Sequence, residues 1–112
     1  MSKEKKKGSL FEVQVLNYLT ENGFMAFRNP PKGKNDEGDI TMYSRVGKII
    51  LECKNRRKME LSEWVDEAEA EKGNADALIG CVVHKRKGCG DAKMGKTYVT
   101  VTLDDLMELV RR

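Results

Sequence analysis

The sequence predicts an α/β chain: a small mixed α+β sheet with helices packed on it, in the order α-β-β-β-α-β-β-α. Three observations carry this. Apolar residues recur at helical spacing near both ends and in the middle of the chain. Two strand-like segments, 39–45 and 48–54, are separated only by Val46 and Gly47, as in a hairpin. A later run, Ala77 to His84, is apolar and short enough to be a buried strand. The length of 112 residues suits one domain with one modest core.

The elements follow in order. Residues 1–8 carry four lysines and one glutamate and are expected to form a disordered basic arm, leaving 9–112 as a single domain. Ser9 opens a helix in which Phe11, Val15, Leu16 and Leu19 share one side. Glu12, three residues on, completes a capping box, and Gly23 stops the helix. Phe24 to Arg28 is a short strand. The stretch NPPKGKNDEG, residues 29–38, is dense in turn formers and must be a loop. The hairpin follows. Leu61 to Lys72 reads as a helix with Leu61, Trp64, Val65 and Ala68 on its core side and Gly73 at its end. After the strand 77–84 comes a basic, glycine-bearing loop, 85–95. Lys96 to Val101 is a β-branched strand, and Thr102 with Asp105 caps a last helix.

Composition excludes several classes. No apolar run is long enough to span a bilayer, and the N-terminus lacks the apolar stretch of a secretory signal. Three cysteines without a CxxC pair argue against a disulfide framework and for a reducing, cytoplasmic setting. The net charge of +3 resides in residues 1–7, so the rest of the chain is neutral in sum. It is not neutral locally. Lys54, Arg56, Arg57 and Lys58 form one basic run and Lys85, Arg86 and Lys87 another. Residues 60–71 hold Glu60, Glu63, Asp66, Glu67, Glu69 and Glu71, read as a solvated helix face. Charge segregated in this way suits a basic face turned toward phosphates, the alternative being ordinary solvated loops.

The hairpin carries the chemistry. With Val46 and Gly47 as the loop, Asp39 faces Lys54, Thr41 faces Glu52, Tyr43 faces Ile50 and Arg45 faces Lys48, all on one side of the sheet. Glu52 is then the diagonal neighbour of Asp39, about 7–8 Å away at the backbone. Ile40, Met42, Ile49, Leu51 and Cys53 form the opposite, apolar side, which belongs in the core. Two carboxylates and an ammonium at that spacing can converge on one divalent cation. The alternative is a surface cluster worth under about 1 kcal/mol. The burial of Glu52 beside Ile49-Ile50-Leu51 counts against it, because an idle carboxylate there is expensive.

Gly38-Asp39-Ile40 followed by Leu51-Glu52-Cys53-Lys54 resembles the GDI … (I/L)ExK signature of the PD-(D/E)XK nucleases, with 13 residues from Asp39 to Glu52 across a tight hairpin. The preceding GSLFEVQVLNYLTENGFMAFR resembles the opening of the small archaeal-type Holliday junction resolvases and their phage relatives. The resemblance covers roughly residues 8–85. It implies a restriction-endonuclease-like αβββαβ core. It also implies a Mg²⁺-dependent (or Mn²⁺-dependent) endodeoxyribonuclease that hydrolyses phosphodiesters in branched DNA during recombination.

Carried over, the resemblance makes Asp39 and Glu52 metal ligands and Lys54 the group that positions water or stabilises charge on the phosphorane. Glu12 matches a helix glutamate beside the metal, although the capping box would also explain it. Arg28 matches an arginine that holds a DNA phosphate. Where the resolvases often carry a loop serine, this chain has Lys32-Gly33-Lys34, so Lys32 and Lys34 become candidate phosphate contacts. The glutamine that related nucleases often place on the helix after the ExK strand is missing, since Gln14 is the chain's only one. Arg56, Arg57 and Lys58, with Lys85, Arg86 and Lys87, complete the expected DNA-binding set.

A four-way junction offers two equivalent strands, so a homodimer with two sites is expected. The strand Lys96 to Val101 and the helix Leu103 to Val110 are the candidate interface. Flaps, forks or plain duplex are the alternative substrates for the same fold, and a basic DNA-binding module without catalysis is the alternative class. A zinc site from Cys53, Cys81, His84 and Cys89 is not expected, because C-x2-H-x4-C matches no common spacing. Trp64 is read as core.

Overall fold

The computed structural model describes residues 3–112. Its elements are α1 (Lys3–Glu21), β1 (Met25–Arg28), β2 (Ile40–Tyr43), β3 (Lys48–Lys54), α2 (Leu61–Ala75), β4 (Ile79–His84), β5 (Tyr98–Thr100) and α3 (Leu103–Arg111). Short 3₁₀ turns, Gly33–Asn35 and Asp91–Lys96, interrupt two loops. The order is the one the sequence predicts. One mixed sheet runs β1-β2-β3-β4-β5, antiparallel throughout except for the parallel pair β3–β4. Parallel neighbours need a crossover, and α2 supplies it. This α+β arrangement is the restriction-endonuclease-like core. Among the described residues no helix is long and apolar enough to cross a membrane.

Two layers of helix enclose the sheet. On one side Phe11 and Val15 of α1 pack on Ile40, Ile49, Leu51, Cys53, Ile79, Cys81 and Val83. That is the apolar side of the hairpin expected from alternation. On the other side Trp64 and Ala68 of α2 pack on Val82, with Leu61 and Val65 at the margin. Gly80 lets the helix come this close, since a Cβ there would stand 2.5 Å from the Ala68 carbonyl oxygen.

The structure corrects several expectations. Residues 3–8, expected as a disordered arm, are helical, and Met1 and Ser2 lie outside the described residues. Lysine and glutamate are good helix formers, and a helix already seated by Phe11 and Val15 propagates through Gly8 at a cost of about 1 kcal/mol. Ser9 therefore lies inside α1, and the Ser9–Glu12 capping box does not exist.

The hairpin register also differs. Ser44 and Gly47 exchange backbone hydrogen bonds of 3.0 and 3.2 Å, and Ser44 Oγ donates to the Gly47 carbonyl at 3.0 Å. The turn is thus Ser44–Gly47, and Tyr43 pairs with Lys48 rather than Ile50. A shift of two residues keeps every side chain on its expected face but changes its partner.

Helix α2 runs past Gly73. Asp76, at φ +51°, ends it instead, and Lys48 Nζ donates to the Ala75 carbonyl at 2.9 Å. Its buried stripe is Trp64, Ala68, Glu71 and Ala75. The acidic run is expected to be solvated throughout, yet Glu71 is only 3% exposed. It falls on the same side of the helix as Trp64 and Ala68, so helical phase outweighs its charge.

Candidate active site

Asp39 is placed by the loop before it. Asn29 Nδ2 donates to the Glu37 and Gly38 carbonyls, each at 3.3 Å, and Thr41 Oγ1 donates to Asn29 Oδ1 at 3.0 Å. Asp36 Oδ1 accepts from Gly38 N–H at 3.1 Å. Gly38 itself sits at φ +91°, with the Leu51 carbonyl 3.3 Å from where a Cβ would be, so glycine answers both demands. The next residue, Asp39, donates its N–H to Leu51 O at 3.0 Å and accepts from Cys53 N–H through Oδ2 at 2.8 Å.

The observed pairing of Ile40 with Leu51 puts Asp39 level with Glu52, one pair closer than the expected diagonal. Glu12, Asp39, Glu52 and Lys54 line one cleft of about 380 Å³, together with Lys5, Gly8, Ser9, Asn55 and Arg56. The extra N-terminal turns of α1 form part of this wall. Glu12, free of any capping role, pairs instead with Arg28 Nη2 at 3.2 Å. Lys54 Nζ lies 3.2 Å from Glu52 Oε2 and 2.8 Å from Glu67 Oε1.

The electrostatics of the cleft are strained by negative charge. Burial, then the Asp39 and Glu71 charges, push the Glu52 carboxyl up to about 10. Burial raises Asp39 to about 6 against the opposing Cys53 N–H, with Glu12 adding to the rise. The buried Glu52 carboxyl shares a hydrogen bond with that of Glu71, which adds to its rise. Burial alone would lower Lys54, but hydrogen bonds and charges from Glu67 and Glu52 outweigh it and the net direction is up.

The donor set fits a hard divalent cation. Every candidate ligand is a carboxylate oxygen, and the burial that raises both carboxyls is what a bound cation would offset. Glu12, Asp39 and Glu52 do not themselves form a tight trio. Among the described residues, the three carboxylates whose oxygens all come within 4.8 Å of one another are Glu52, Glu67 and Glu71. Asp39 is turned to Cys53 N–H and Glu12 to Arg28, which keeps the first three apart.

The expected basic residues divide into two groups. Arg56, Arg57 and Lys58 are exposed just after β3, and Lys85, Arg86 and Lys87 just after β4. Because these strands are parallel, both runs leave the same end of the sheet beside Lys54, and Lys85 N–H donates to the Lys54 carbonyl at 3.0 Å. The topology thus joins two patches far apart in sequence. Arg86 lies over the Tyr98 ring at 5.4 Å. Lys32 and Lys34 are exposed on the loop before Asp39, with Lys32 pairing with Glu37 at 3.4 Å.

Sequence reasoning missed Glu67 and Glu71. Glu71 was detectable, being seven residues after Trp64 and so on the same helical side.

His84 is buried between the Trp64 and Tyr98 rings, with Nε2 2.9 Å from Thr100 Oγ1. Cys53, Cys81 and Cys89 are buried free thiols.

A search of curated proteins returns no match. A family model described as archaeal Holliday junction resolvase matches residues 3–78. The matched segment runs from the start of α1 to the edge of β4 and holds Glu12, Arg28, Asp39, Glu52 and Lys54. On that match, over more than half its length, the chain belongs to the archaeal Holliday junction resolvase family.

Proposed function

We propose that the chain is a Mg²⁺- or Mn²⁺-dependent endonuclease that cuts four-way DNA junctions as a homodimer inside the cell, with the described residues, α1 included, as one nuclease unit. The observation that carries this is the placement of Asp39 level with Glu52, beside Lys54, where both basic runs leave the sheet.

In this reading Asp39 and Glu52 hold the cation, with Glu12 beside them. A bound Mg²⁺ would neutralise phosphate charge and make a nearby water more acidic. Cys53 N–H fixes the Asp39 carboxylate. The Lys54 ammonium, charged at neutral pH, orients the attacking water or balances charge building on the phosphate. Arg28 holds Glu12 at the cleft and can turn to a phosphate. Lys32 and Lys34, with the two exposed basic runs, bind phosphates along the strands, which positions DNA without reading its sequence.

Dimerisation has a candidate surface. Leu103, Leu106, Met107 and Val110 of α3 and Val99 of β5 are all exposed. Two copies of a 12.7 kDa chain give a dimer of about 25 kDa, and its two sites would match the two equivalent strands of a junction.

The test is a comparison of four-way junction, flap, fork and linear duplex, with and without Mg²⁺. The junction should be cut by paired incisions, only with the cation. Asp39→Asn and Glu52→Gln should each lose at least roughly a hundredfold in rate, as removal of a transition-state interaction worth about 3 kcal/mol does. Both should bind junction as well as wild type or better. Wild-type rates in either variant would sink the assignment of the site. Preferential cutting of flaps or duplex would redirect the substrate while keeping the chemistry.

A further inference from the structure

The segment that joins β4 to β5 lies beyond the residues the family model matches. It is pinned to α1 and the core at several points. Asp91 accepts from Gln14 Nε2 at 2.9 Å, and Met94 is buried in the main core. Gly95 approaches Tyr18 so closely that a Cβ there would stand 2.5 Å from the phenol oxygen. Between and after these anchors Lys93 and Lys96 are exposed. With Tyr18 and Arg86 they line a hollow of about 610 Å³. The Arg86 guanidinium is steadied by Tyr98, its carbon 5.4 Å from the ring centre. Among the described residues no carboxylate lines this hollow or pairs with its three cations, and the neighbouring Asp91 is turned to Gln14. Three like charges gathered in one concavity repel one another unless an anion joins them.

We propose that Tyr18, Arg86, Lys93 and Lys96 form a second phosphate site, which holds a DNA backbone phosphate remote from the scissile one. The proposal rests on the nuclease reading and extends it to residues outside the cleft. Two observations favour DNA as the source of the phosphate. Lys85 N–H donates to the carbonyl of Lys54 at the cleft, and Arg86, the next residue, lines the hollow, so the basic track is continuous from one to the other. The donor set also suits a phosphodiester, because a guanidinium fork, two ammonium groups and a phenol hydroxyl offer charge and hydrogen bonds to phosphate oxygens. The hollow is separate from the cleft. Tyr18 stands six residues after Glu12, roughly 9 Å along α1 and a third of a turn round it. A phosphate held here would fix the direction of the DNA leaving the active site without entering the cleft.

Four-way junction binding by the full-length protein, measured against salt, decides it. Lys93→Gln with Lys96→Gln should weaken affinity at least about fivefold at low salt. The slope of log affinity against log salt should fall by about 1.8, or 0.9 for each contact. Tyr18→Phe removes a hydrogen bond but no charge, so affinity should fall about threefold while the slope stays as in the wild type. Arg111→Gln with Arg112→Gln takes the same charge from the end of α3, where both arginines pair with Glu108, and should leave the slope within about 0.3 of the wild type. An unchanged slope in the lysine variant, with wild-type binding intact, would overturn this proposal alone. Equal losses of slope in the lysine and arginine variants would also overturn it, since net charge rather than a site would then be acting. A wild type that binds no DNA would take the functional reading down with it.

Discussion

Individual side chains at the sheet's C-terminal end do two separable jobs. Arg57 and Lys58, and Lys85, Arg86 and Lys87, are exposed and stand clear of Asp39. Their role in DNA binding would be electrostatic. Neutralising Arg57 and Lys58, or Lys85, Arg86 and Lys87, should weaken junction binding. The slope of log affinity against log salt should fall by about 0.9 for each phosphate that is no longer neutralised. Cleavage at saturating protein should keep its rate. Binding titrations between low and moderate salt would check this, and an unchanged slope in both variants would place the DNA elsewhere. Arg56 is a different case, because it lines the cleft and its loss would mix binding with chemistry.

At the scale of elements, α3 is fastened by one buried carboxylate. Asp105, 2% exposed, accepts from Lys72 Nζ at 2.9 Å and Gly80 N–H at 3.2 Å. Thr102 caps the same helix by accepting from Asp105 N–H at 3.1 Å, and its hydroxyl donates to Glu69 Oε1 at 3.0 Å. Asp105→Ala should cost about 2 kcal/mol, since it leaves the buried Gly80 N–H without its acceptor and takes one of two carboxylates from Lys72, which keeps Glu69 at 2.7 Å. Thr102→Ala should cost about 1 kcal/mol. Chemical denaturation of the two variants gives the comparison, and equal losses would refute the argument. The Thr102 cap was legible because capping is a local signal, and so were the hairpin's two faces, which depend only on alternation. The Asp105 interactions were not, because they join three elements distant in sequence. The register differs by two residues from the expected one because a Ser44 side-chain bond sets the turn, and nothing in the alternation reveals it. The four residues that meet in the cleft, Glu12, Asp39, Glu52 and Lys54, were legible through their motif, whereas Glu71 was hidden by the habit of reading acidic helix residues as solvated.

For the molecule as a whole, buried acidity couples stability to pH. In the folded chain Asp39 is raised to about 6, Glu71 to about 7 and Glu52 to about 10, burial being the main cause in each. Folding thus tightens proton binding at all three. The stability they contribute is fully present below about pH 4, the ordinary carboxyl range, and is lost as pH rises through the folded values. In a metal chelator the melting temperature should therefore fall between pH 5 and pH 8, by about 4 °C for each kcal/mol lost. Divalent cation should restore much of the loss at pH 8, and Glu52→Gln should flatten the profile. Melting curves across that range decide it, and a flat wild-type profile would contradict the burial described. Gly80 matters here in a way that concerns ancestry. Since Ala68 occupies the space where its Cβ would go, substitution at this position is barred unless the crossover helix lifts away. A lifted helix carries Glu67 and Glu71 off with it. A family member bearing any larger residue there should therefore have parted Glu67 and Glu71 from Lys54 and Glu52 while keeping the cleft, so one codon sets how many acids surround that ammonium.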